Sequence, residues 1–379
     1  MPPSFSSSAI RFRDSIGAVA KTDPDKAKRP AARARTAVGK PTGRAPRASA
    51  RATTPSSALT DTEGEATLPP DDEAGAVIIT GICGRMGQLL ARKLHRTRPV
   101  IGIDRRRFEG KPEDIVHYQI DVRRRKTQDI FRAGNIRAVV HLGVMHNLRE
   151  SDRTHHSWNV VGFQKLLEYV SAYKVPKLVV LSSAMLYGPS PDNAHFLTED
   201  SPLLGAQDFS QIRDLVEVDM LAQSFFWKHP EVETVVLRPC HIVGRVRNAA
   251  SNYLRMERPI TVLGFDPMLQ VIHERDVVDA LMLAIKPGAR GIYNVRGPGE
   301  LPLSLMLQLA GRKPFAVPGP LINTVLGRLW NYRATTFPKE ELDHLRYICL
   351  VDDTRVRNEL GFLPRHNIEE TLRAVSSQW

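Results

Sequence analysis

The residues with the clearest chemical potential are three regularly spaced glycines, Gly81, Gly84 and Gly87. They follow an apolar run, residues 77–79, whose lack of polar alternation predicts a strand buried on both faces of a parallel sheet. Gly81 permits a tight turn, Gly84 lets a pyrophosphate approach the backbone, and Gly87 lets a following helix pack on the strand. The spacing therefore predicts a dinucleotide-binding turn.

The helix expected after this turn, over residues 85–95, supplies amide groups for the same anion. Its first residues, Arg85 and Met86, lie where helix N–H groups point at a phosphate. A second predicted strand, residues 100–103, ends in Asp104, 23 residues after the first glycine. An acidic residue at that distance is expected to accept hydrogen bonds from an adenosine ribose.

The charges around Asp104 leave the choice of nicotinamide cofactor open. Asp104 favours NAD, whereas the adjacent basic run, residues 105–107, also suits the 2′-phosphate of NADP. The next predicted strand, residues 116–120, is followed by Asp121 and Val122, which are placed to meet the adenine. NAD is the expected cofactor, with NADP as the alternative.

Alternating strands and helices predict an α/β fold, a doubly wound parallel sheet of the Rossmann type. Further buried strands are expected at residues 138–142, 177–181 and 234–237, and a long helix at 155–173. Ligands on such sheets bind beyond the carboxyl ends of the strands. That rule gathers the residues that follow these strands at one cleft: Leu142, Gly143, Ser183, Tyr187 and Pro239.

Ten motifs follow one another in a fixed order between residues 75 and 375. They include TGICGRMG, VVHLG, LSSAMLYG, LRPCHIVG and VIHERDVVDAL. In this order they resemble the extended short-chain dehydrogenase/reductases, within them the NAD-dependent epimerase/dehydratase family, and most of all its actinobacterial members labelled UDP-glucose 4-epimerase-like. The resemblance implies hydride transfer between a nicotinamide and a carbinol carbon of a sugar, usually a nucleotide-linked one.

The resemblance also implies an active site, from which this chain departs. In the family a Tyr acts as general base, a Lys four residues later lowers the pKa of that Tyr, and a Ser or Thr orients the sugar hydroxyl. The Ser position falls on Ser183, and Asn159 matches the family Asn. The Tyr and Lys positions fall on Phe209 and Arg213. Phenylalanine cannot exchange a proton, whereas Arg213 can still hold the hydroxyls of the nicotinamide ribose.

Three interpretations of this departure stay open. In the first, the protein is an oxidoreductase or epimerase whose base is another group near the nicotinamide; the candidates are Ser183, Tyr187, Asp208 and His241. In the second, it binds NAD without hydride chemistry, as a sensor or scaffold. In the third, a basic N-terminal tail acts on nucleic acid and the folded domain positions it.

Substrate specificity is expected in the second half of the chain. His241 stands where sugar-nucleotide enzymes of the family typically have Asn, and Arg245 and Arg247 follow on a loop that could clamp a diphosphate. His273 precedes an acidic family position and is a fourth candidate, although a structural role suits it better. These four residues are the predicted substrate-binding set.

Composition divides the 379 residues into a tail and one large domain. Residues 1–60 hold twelve Lys or Arg against three acidic residues, and so supply +9 of the formal charge of +12. Such a segment buries too little apolar surface to fold. We expect a disordered basic tail and linker over residues 1–73 and an NAD(P)-binding domain over 74–379. Within that domain the Rossmann core is expected mainly in 75–240 and the substrate region mainly in 241–379.

Cysteine usage and hydropathy limit the remaining possibilities. Three scattered cysteines, Cys83, Cys240 and Cys349, indicate neither a disulfide framework nor a metal site, and no apolar run is long enough to span a membrane. A cytoplasmic protein with a small-molecule substrate is expected. The resemblance implies a homodimer formed through the helices at 155–173 and 209–229, with cover of these helices by the C-terminal region as the alternative. Nucleic acid is an expected partner only through the basic tail.

Overall fold

The computed structural model describes residues 75–145, 150–205, 210–322 and 339–376. The predicted basic tail, and the positions of Asp208 and Phe209, lie outside these ranges. No helix within them is long and apolar enough to cross a membrane.

Seven of the strands in the described residues form one parallel sheet. In chain order the strands are β1 (Ala76–Thr80), β2 (Val100–Asp104), β3 (Val116–Gln119), β4 (Ile136–His141), β5 (Lys177–Leu181), β6 (Glu233–Pro239), β7 (His241–Val243), β8 (Ile260–Val262), β9 (Met268–Leu269), β10 (Val271–His273), β11 (Gly291–Val295), β12 (Leu301–Pro302) and β13 (Phe315–Val317). The large sheet has the order β11-β6-β5-β4-β1-β2-β3, and every pairing in it is parallel. The predicted doubly wound sheet is confirmed.

Helices connect these strands and cover both faces of the sheet. In chain order they are α1 (Arg85–Leu94), α2 (Lys126–Arg132), α3 (Asp152–His156), α4 (Gly162–Ala172), α5 (Ser210–Lys228), α6 (Ala249–Arg255), α7 (Glu274–Ile285), α8 (Leu303–Leu309), α9 (Thr354–Leu360) and α10 (Ile368–Ser376). Short turns of other helical types lie at Ser157–Val161, a π-helix, and at Ala184–Tyr187 and Lys339–Leu345, both 3₁₀-helices.

The central strand β1 explains why the sheet is buried on both sides. Val77 and Ile79 pack into the core cluster that contains Leu90 of α1, whereas Ile78 packs into the opposite cluster with Phe163 of α4. Successive side chains of a strand point to opposite faces, so an unbroken apolar run needs cover on both. The run predicted as a buried strand therefore lies at the middle of the sheet.

The helix expected at 155–173 is interrupted in the structure. It begins earlier, at α3, where the Ser151 hydroxyl accepts a hydrogen bond from the Thr154 amide (3.2 Å). It then passes through the π-helical turn before α4 continues. A π turn inserts one residue into the helical repeat without changing the apolar pattern on either side, so periodicity did not indicate it.

A smaller region is built from the second half of the chain. Three two-stranded sheets, β7 with β10, β8 with β13 and β9 with β12, pack with α6, α8 and α10 around a third core cluster. The chain returns between these elements to place β11 beside β6 in the large sheet. The core sheet therefore extends beyond residues 75–240, because β11 lies in the range 241–379, which was predicted to form mainly the substrate region.

Candidate cofactor and substrate site

The turn after β1 requires glycine at two positions for reasons of space. Gly81 has a φ of +72°, and a Cβ there would lie 2.7 Å from the Cα of Gly143. A Cβ on Gly87 would lie 2.5 Å from the carbonyl oxygen of Gly81. Gly84 is less enclosed, with that same carbonyl at 3.2 Å as its nearest neighbour. The backbone thus forms a tight cradle at the start of α1, as an approaching diphosphate needs.

Asp104, at the end of β2, faces this turn, and its carboxylate oxygens already accept four hydrogen bonds. Its carboxylate accepts from the Cys83 amide (3.0 Å), from the Arg106 amide (2.9 Å) and from the Arg106 guanidinium at Nε (3.2 Å) and Nη2 (3.0 Å). Burial would raise the pKa of Asp104, but these hydrogen bonds outweigh it and hold the pKa below its usual value. A ribose hydroxyl that binds here must share Asp104 with Arg106 or displace it.

A second group of charges surrounds Trp158 beside the end of β3. The carboxylate of Asp121 accepts from the amide and guanidinium of Arg123. The Arg105 guanidinium lies 3.8 Å from the ring centre of Trp158, and that of Arg123 lies 4.9 Å from it. Both acidic residues predicted at the adenosine end, Asp121 and Asp104, are thus paired with arginine. The predicted neighbour Val122 is buried.

The first residue of α1 connects the glycine turn to the second half of the chain. The Arg85 guanidinium donates to one carboxylate oxygen of Glu274, from Nε at 3.0 Å and from Nη2 at 2.6 Å. Glu274 begins α7 and is buried, so its charge needs this partner. Met86 packs against the core on the same side of the sheet. Arg85 therefore ties the predicted phosphate site to the start of α7.

Side-chain hydrogen bonds lie at the end of β4 and in the loop that follows it. The Thr80 hydroxyl and His141 Nδ1 lie 2.8 Å apart at the ends of their strands. Asn159, in the π turn, accepts from the Met145 amide (2.8 Å) and donates to the Met145 carbonyl (3.4 Å). Asn159 is buried and so fixes the loop that contains Leu142 and Gly143.

Tyr187, one of the predicted base candidates, has both sides of its hydroxyl occupied. The hydroxyl donates to Asn294 Oδ1 (2.8 Å) and accepts from Arg238 Nη1 (2.8 Å). Burial is the main cause that raises the pKa of Tyr187 to about 12. The geometry thus favours a supporting role for Tyr187 over proton transfer.

Behind Tyr187 lies a buried ion pair that the sequence analysis missed. Arg238 donates to Asp219 from Nε (3.0 Å) and Nη2 (2.7 Å), and both residues are almost fully buried. Asp219 also accepts from the Ser182 hydroxyl (2.5 Å) and from Gln223. The network joins the ends of β5 and β6 to α5. Arg238 lies within a quoted motif, but nothing in the sequence pairs it with Asp219.

Two histidines meet beyond the end of β6. The rings of His241 and His344 are 5.6 Å apart and nearly perpendicular, and each Nδ1 is buried without a hydrogen-bond partner among the described residues. Burial lowers the pKa of His241 to about 4. Burial, reinforced by His241, lowers that of His344 to about 3. Both imidazoles are therefore neutral near pH 7.

The same C-terminal segment passes the end of β5. Cys349 Sγ lies 3.7 Å from the carbonyl oxygen of Ala184, the residue after Ser183. The Ser183 hydroxyl accepts from the Met185 amide (3.2 Å) and caps the following 3₁₀ turn. Ser183, His241 and His344 are thereby brought to the carboxyl edge of neighbouring strands. His344 has no neighbouring motif that would have indicated it.

A sequence profile of a known protein family matches residues 77–295, a range that contains the glycine cradle and the acidic residue at the end of β2. That profile is the one of the NAD dependent epimerase/dehydratase family. The chain belongs to this family. The resemblance inferred from the motifs is confirmed.

Relatives of this family member cover most of its length. An uncharacterised protein of Mycobacterium tuberculosis is 28% identical over an alignment of 316 residues that covers 78% of this chain and 82% of that protein. A solved UDP-glucose 4-epimerase of Thermotoga maritima, with UDP-glucose, has a TM-score of 0.63 and 18% identity, covering 79% and 97% of the two chains. A UDP-glucuronic acid 4-epimerase of Bacillus cereus, in complex with UDP-glucuronic acid and NAD, has a TM-score of 0.64 and 15% identity, covering 80% and 100%. The two solved structures share the fold of this chain.

The other residues predicted from the family pattern lie in different surroundings. Arg213 is exposed on α5, Arg245 and Arg247 are exposed after β7, and Pro239 ends β6. His273 is buried; its Nδ1 accepts from the Arg275 amide (3.2 Å), and its ring stacks on His366 at 3.9 Å. The described contacts of His273 are thus with the start of α7 and with His366, and a role in substrate binding stays a prediction.

Proposed function

We propose that this protein is an NAD-dependent oxidoreductase of the epimerase/dehydratase type, acting on a carbinol of a nucleotide-linked sugar. The observation that carries the proposal is the glycine cradle at the start of α1 with Asp104 facing it. The family assignment supports the cofactor class, and the solved 4-epimerases crystallised with UDP-sugars support the substrate class.

The described residues fit a dinucleotide at the phosphate end. The positions of Gly81 and Gly87 exclude any side chain, and the first backbone amides of α1 have no acceptor within their own helix. These amides and Asp104 would hold the diphosphate and the adenosine ribose. The predicted contacts of Arg213 with the nicotinamide ribose belong to the same proposal. When bound, NAD supplies the acceptor for a hydride.

Proton removal needs a group other than tyrosine, and we assign it to His241. Burial keeps this imidazole neutral, and the residue is only partly buried, so the ring nitrogen other than the enclosed Nδ1 would accept the proton of a substrate hydroxyl as a hydride leaves the carbon. Ser183 would orient that hydroxyl, because its own oxygen already accepts from Met185 and its proton can point to the substrate. His344 would bind a neighbouring substrate hydroxyl.

A second function, NAD binding without turnover, is favoured by a separate observation. Phe209 stands at the family Tyr position, and the hydroxyl of Tyr187 is held by Arg238 and Asn294. A protein of this kind would respond to the redox state of the cofactor. It would need the cradle but neither Ser183 nor His241.

The test is a titration of NAD, NADH, NADP and NADPH into the purified protein, followed by UDP-glucose, UDP-galactose and UDP-glucuronate. Turnover seen as epimerised sugar or reduced cofactor, and lowered about 10²-fold or more in Ser183→Ala and His241→Asn, is the expected result. His195→Asn, an exposed histidine, is the matched control. Cofactor binding without turnover of any of the three sugars would favour the second function, and absence of cofactor binding would refute both.

A further inference from the structure

We propose that His156, Asp214 and Glu217 form a site for a divalent transition-metal ion between α3 and α5. The three side chains come from two helices and lie away from the glycine cradle in the chain. This proposal does not rest on the proposed function. A metal site is not indicated by the sequence, because the imidazole and the first carboxylate are 58 residues apart.

The three ligand atoms are close to the separations that one small cation requires. His156 Nδ1 lies 3.2 Å from Asp214 Oδ1 and 3.8 Å from Glu217 Oε2, and all three atoms lie within 4.8 Å of one another. Ligands at about 2.1 Å from a tetrahedral ion are roughly 3.4 Å apart. The widest separation, at most 4.8 Å, must therefore close by no more than about 1.4 Å, which the partly exposed Glu217 side chain can do by rotation.

Helix geometry accounts for the arrangement. Asp214 and Glu217 are three residues apart on α5, so both carboxylates lie on one face of the helix. That face packs against α3, whose last residue is His156. The imidazole is 49% exposed in its side chain, so an ion from solvent can reach it.

The charge balance also favours a cation. The Asp214 side chain is 91% buried, and within the described part of the chain its carboxylate pairs with His156. A buried carboxylate needs a positive partner, either a proton on the imidazole or a metal ion in its place. The pair of His229 with Glu231, by contrast, has no third such group close enough to share an ion among the described residues.

The donor set indicates which ion. One nitrogen and two carboxylate oxygens suit Zn²⁺, Co²⁺ or Ni²⁺, whereas Ca²⁺ and Mg²⁺ prefer oxygen ligands alone and in larger number. Three protein ligands leave at least one position for water.

The metal site would lie next to one side of the predicted cofactor cleft. Arg213, at the family Lys position, precedes Asp214, and Asn159, which holds the Met145 loop, follows His156 by three residues. An ion that joins α3 to α5 would fix the first turns of α5 beside that loop. Metal occupancy would thus order the side of the cleft that contains Arg213.

The experiment uses the untagged full-length protein, stripped with a chelator and titrated with Zn²⁺ by calorimetry; Co²⁺ absorbance reports the ligand set. Residues 1–74 contain no His or Cys, so the tail adds no soft ligand. One Zn²⁺ per chain is expected, with affinity at least tenfold weaker in His156→Ala, Asp214→Asn and Glu217→Gln. His229→Ala removes the imidazole–carboxylate pair of His229 and Glu231 beyond the other end of α5, and this variant should bind Zn²⁺ as the wild type does.

Two results would overturn the proposal. One is the absence of stoichiometric Zn²⁺ binding to the wild type, which would leave the cluster as a histidine–carboxylate hydrogen bond. The other is a site that persists in Glu217→Gln, whose partly exposed side chain can change without unfolding the protein, and in His156→Ala. Zn²⁺ should also raise the thermal midpoint of the wild type and leave that of Glu217→Gln unchanged.

Discussion

Replacing Arg106 with alanine tests how the adenosine end of the site chooses between NAD and NADP. The guanidinium of Arg106 makes two of the four hydrogen bonds to Asp104, while the Arg106 and Cys83 amides make the others. Alanine keeps both amide bonds. The variant therefore frees two acceptor positions on Asp104 and removes the cation that is bonded to this carboxylate.

The two cofactors should respond in opposite directions. A charge-assisted hydrogen bond contributes about 1.5–3 kcal/mol, and the 64% exposure of the Arg106 side chain places this one at the lower end. The affinity for NADP should fall roughly 10- to 30-fold, since about 1.4 kcal/mol is a factor of ten. The affinity for NAD should stay the same or rise up to about tenfold, because its ribose hydroxyls no longer compete with the guanidinium for Asp104.

The assay is a fluorescence or calorimetric titration of the two oxidised cofactors into wild type, Arg106→Ala and Arg107→Ala. Arg107 is exposed and adjacent, so its variant controls for loss of one positive charge near the site. A parallel fall in both affinities in Arg106→Ala would refute the reasoning, because it would mean that the guanidinium only holds the turn in shape.

Three further predictions concern the cradle, the buried ion pair and pH. Gly87→Ala should destabilise the fold as well as abolish cofactor binding, because its Cβ would lie 2.5 Å from a backbone oxygen, whereas Gly84→Ala should weaken binding with a smaller loss of stability; equal melting midpoints for the two would contradict this. Asp219→Ala leaves the Arg238 guanidinium buried and unpaired and should cost about 3–5 kcal/mol in urea unfolding, with less than about 1 kcal/mol as the contrary outcome. Burial lowers the pKa of His141 to about 4 from 6.5 in the folded protein. Between these two pH values the unfolded chain binds the proton more readily, so the free energy of unfolding falls as the pH drops from about 6.5 to about 4. His141→Gln should make this pH dependence of the free energy of unfolding shallower, and an unchanged dependence would exclude His141 as its source.

Periodicity predicted the sheet well because its physical cause is local. An apolar run such as residues 77–79 must be covered on both faces, and the polar residues that follow each strand must meet at one edge. The same reasoning located the glycine cradle and Asp104. Each of these features depends on a short stretch of chain, which a single sequence displays in full.

The contacts that decide chemistry join distant parts of the chain and were not predictable in this way. Tyr187 looked like an available base until Arg238 and Asn294 were found on its hydroxyl. His344 meets His241 from about 100 residues away, a pairing that no spacing rule contains. Whether a side chain can give up or accept a proton depends on such neighbours. The sequence could therefore identify candidate bases but could not rank them.

The position of β11 has a consequence for the order in which this protein can be made. β6 pairs with β5 on one side and with β11 on the other, yet β11 follows it by roughly 50 residues. Until the ribosome has released that stretch, β6 is an open edge of a hydrophobic sheet, able to pair with another nascent chain. During the same interval the hydroxyl of Tyr187 lacks Asn294 as its acceptor. A chain that stops before β11 should therefore aggregate rather than survive as a small nucleotide-binding fragment.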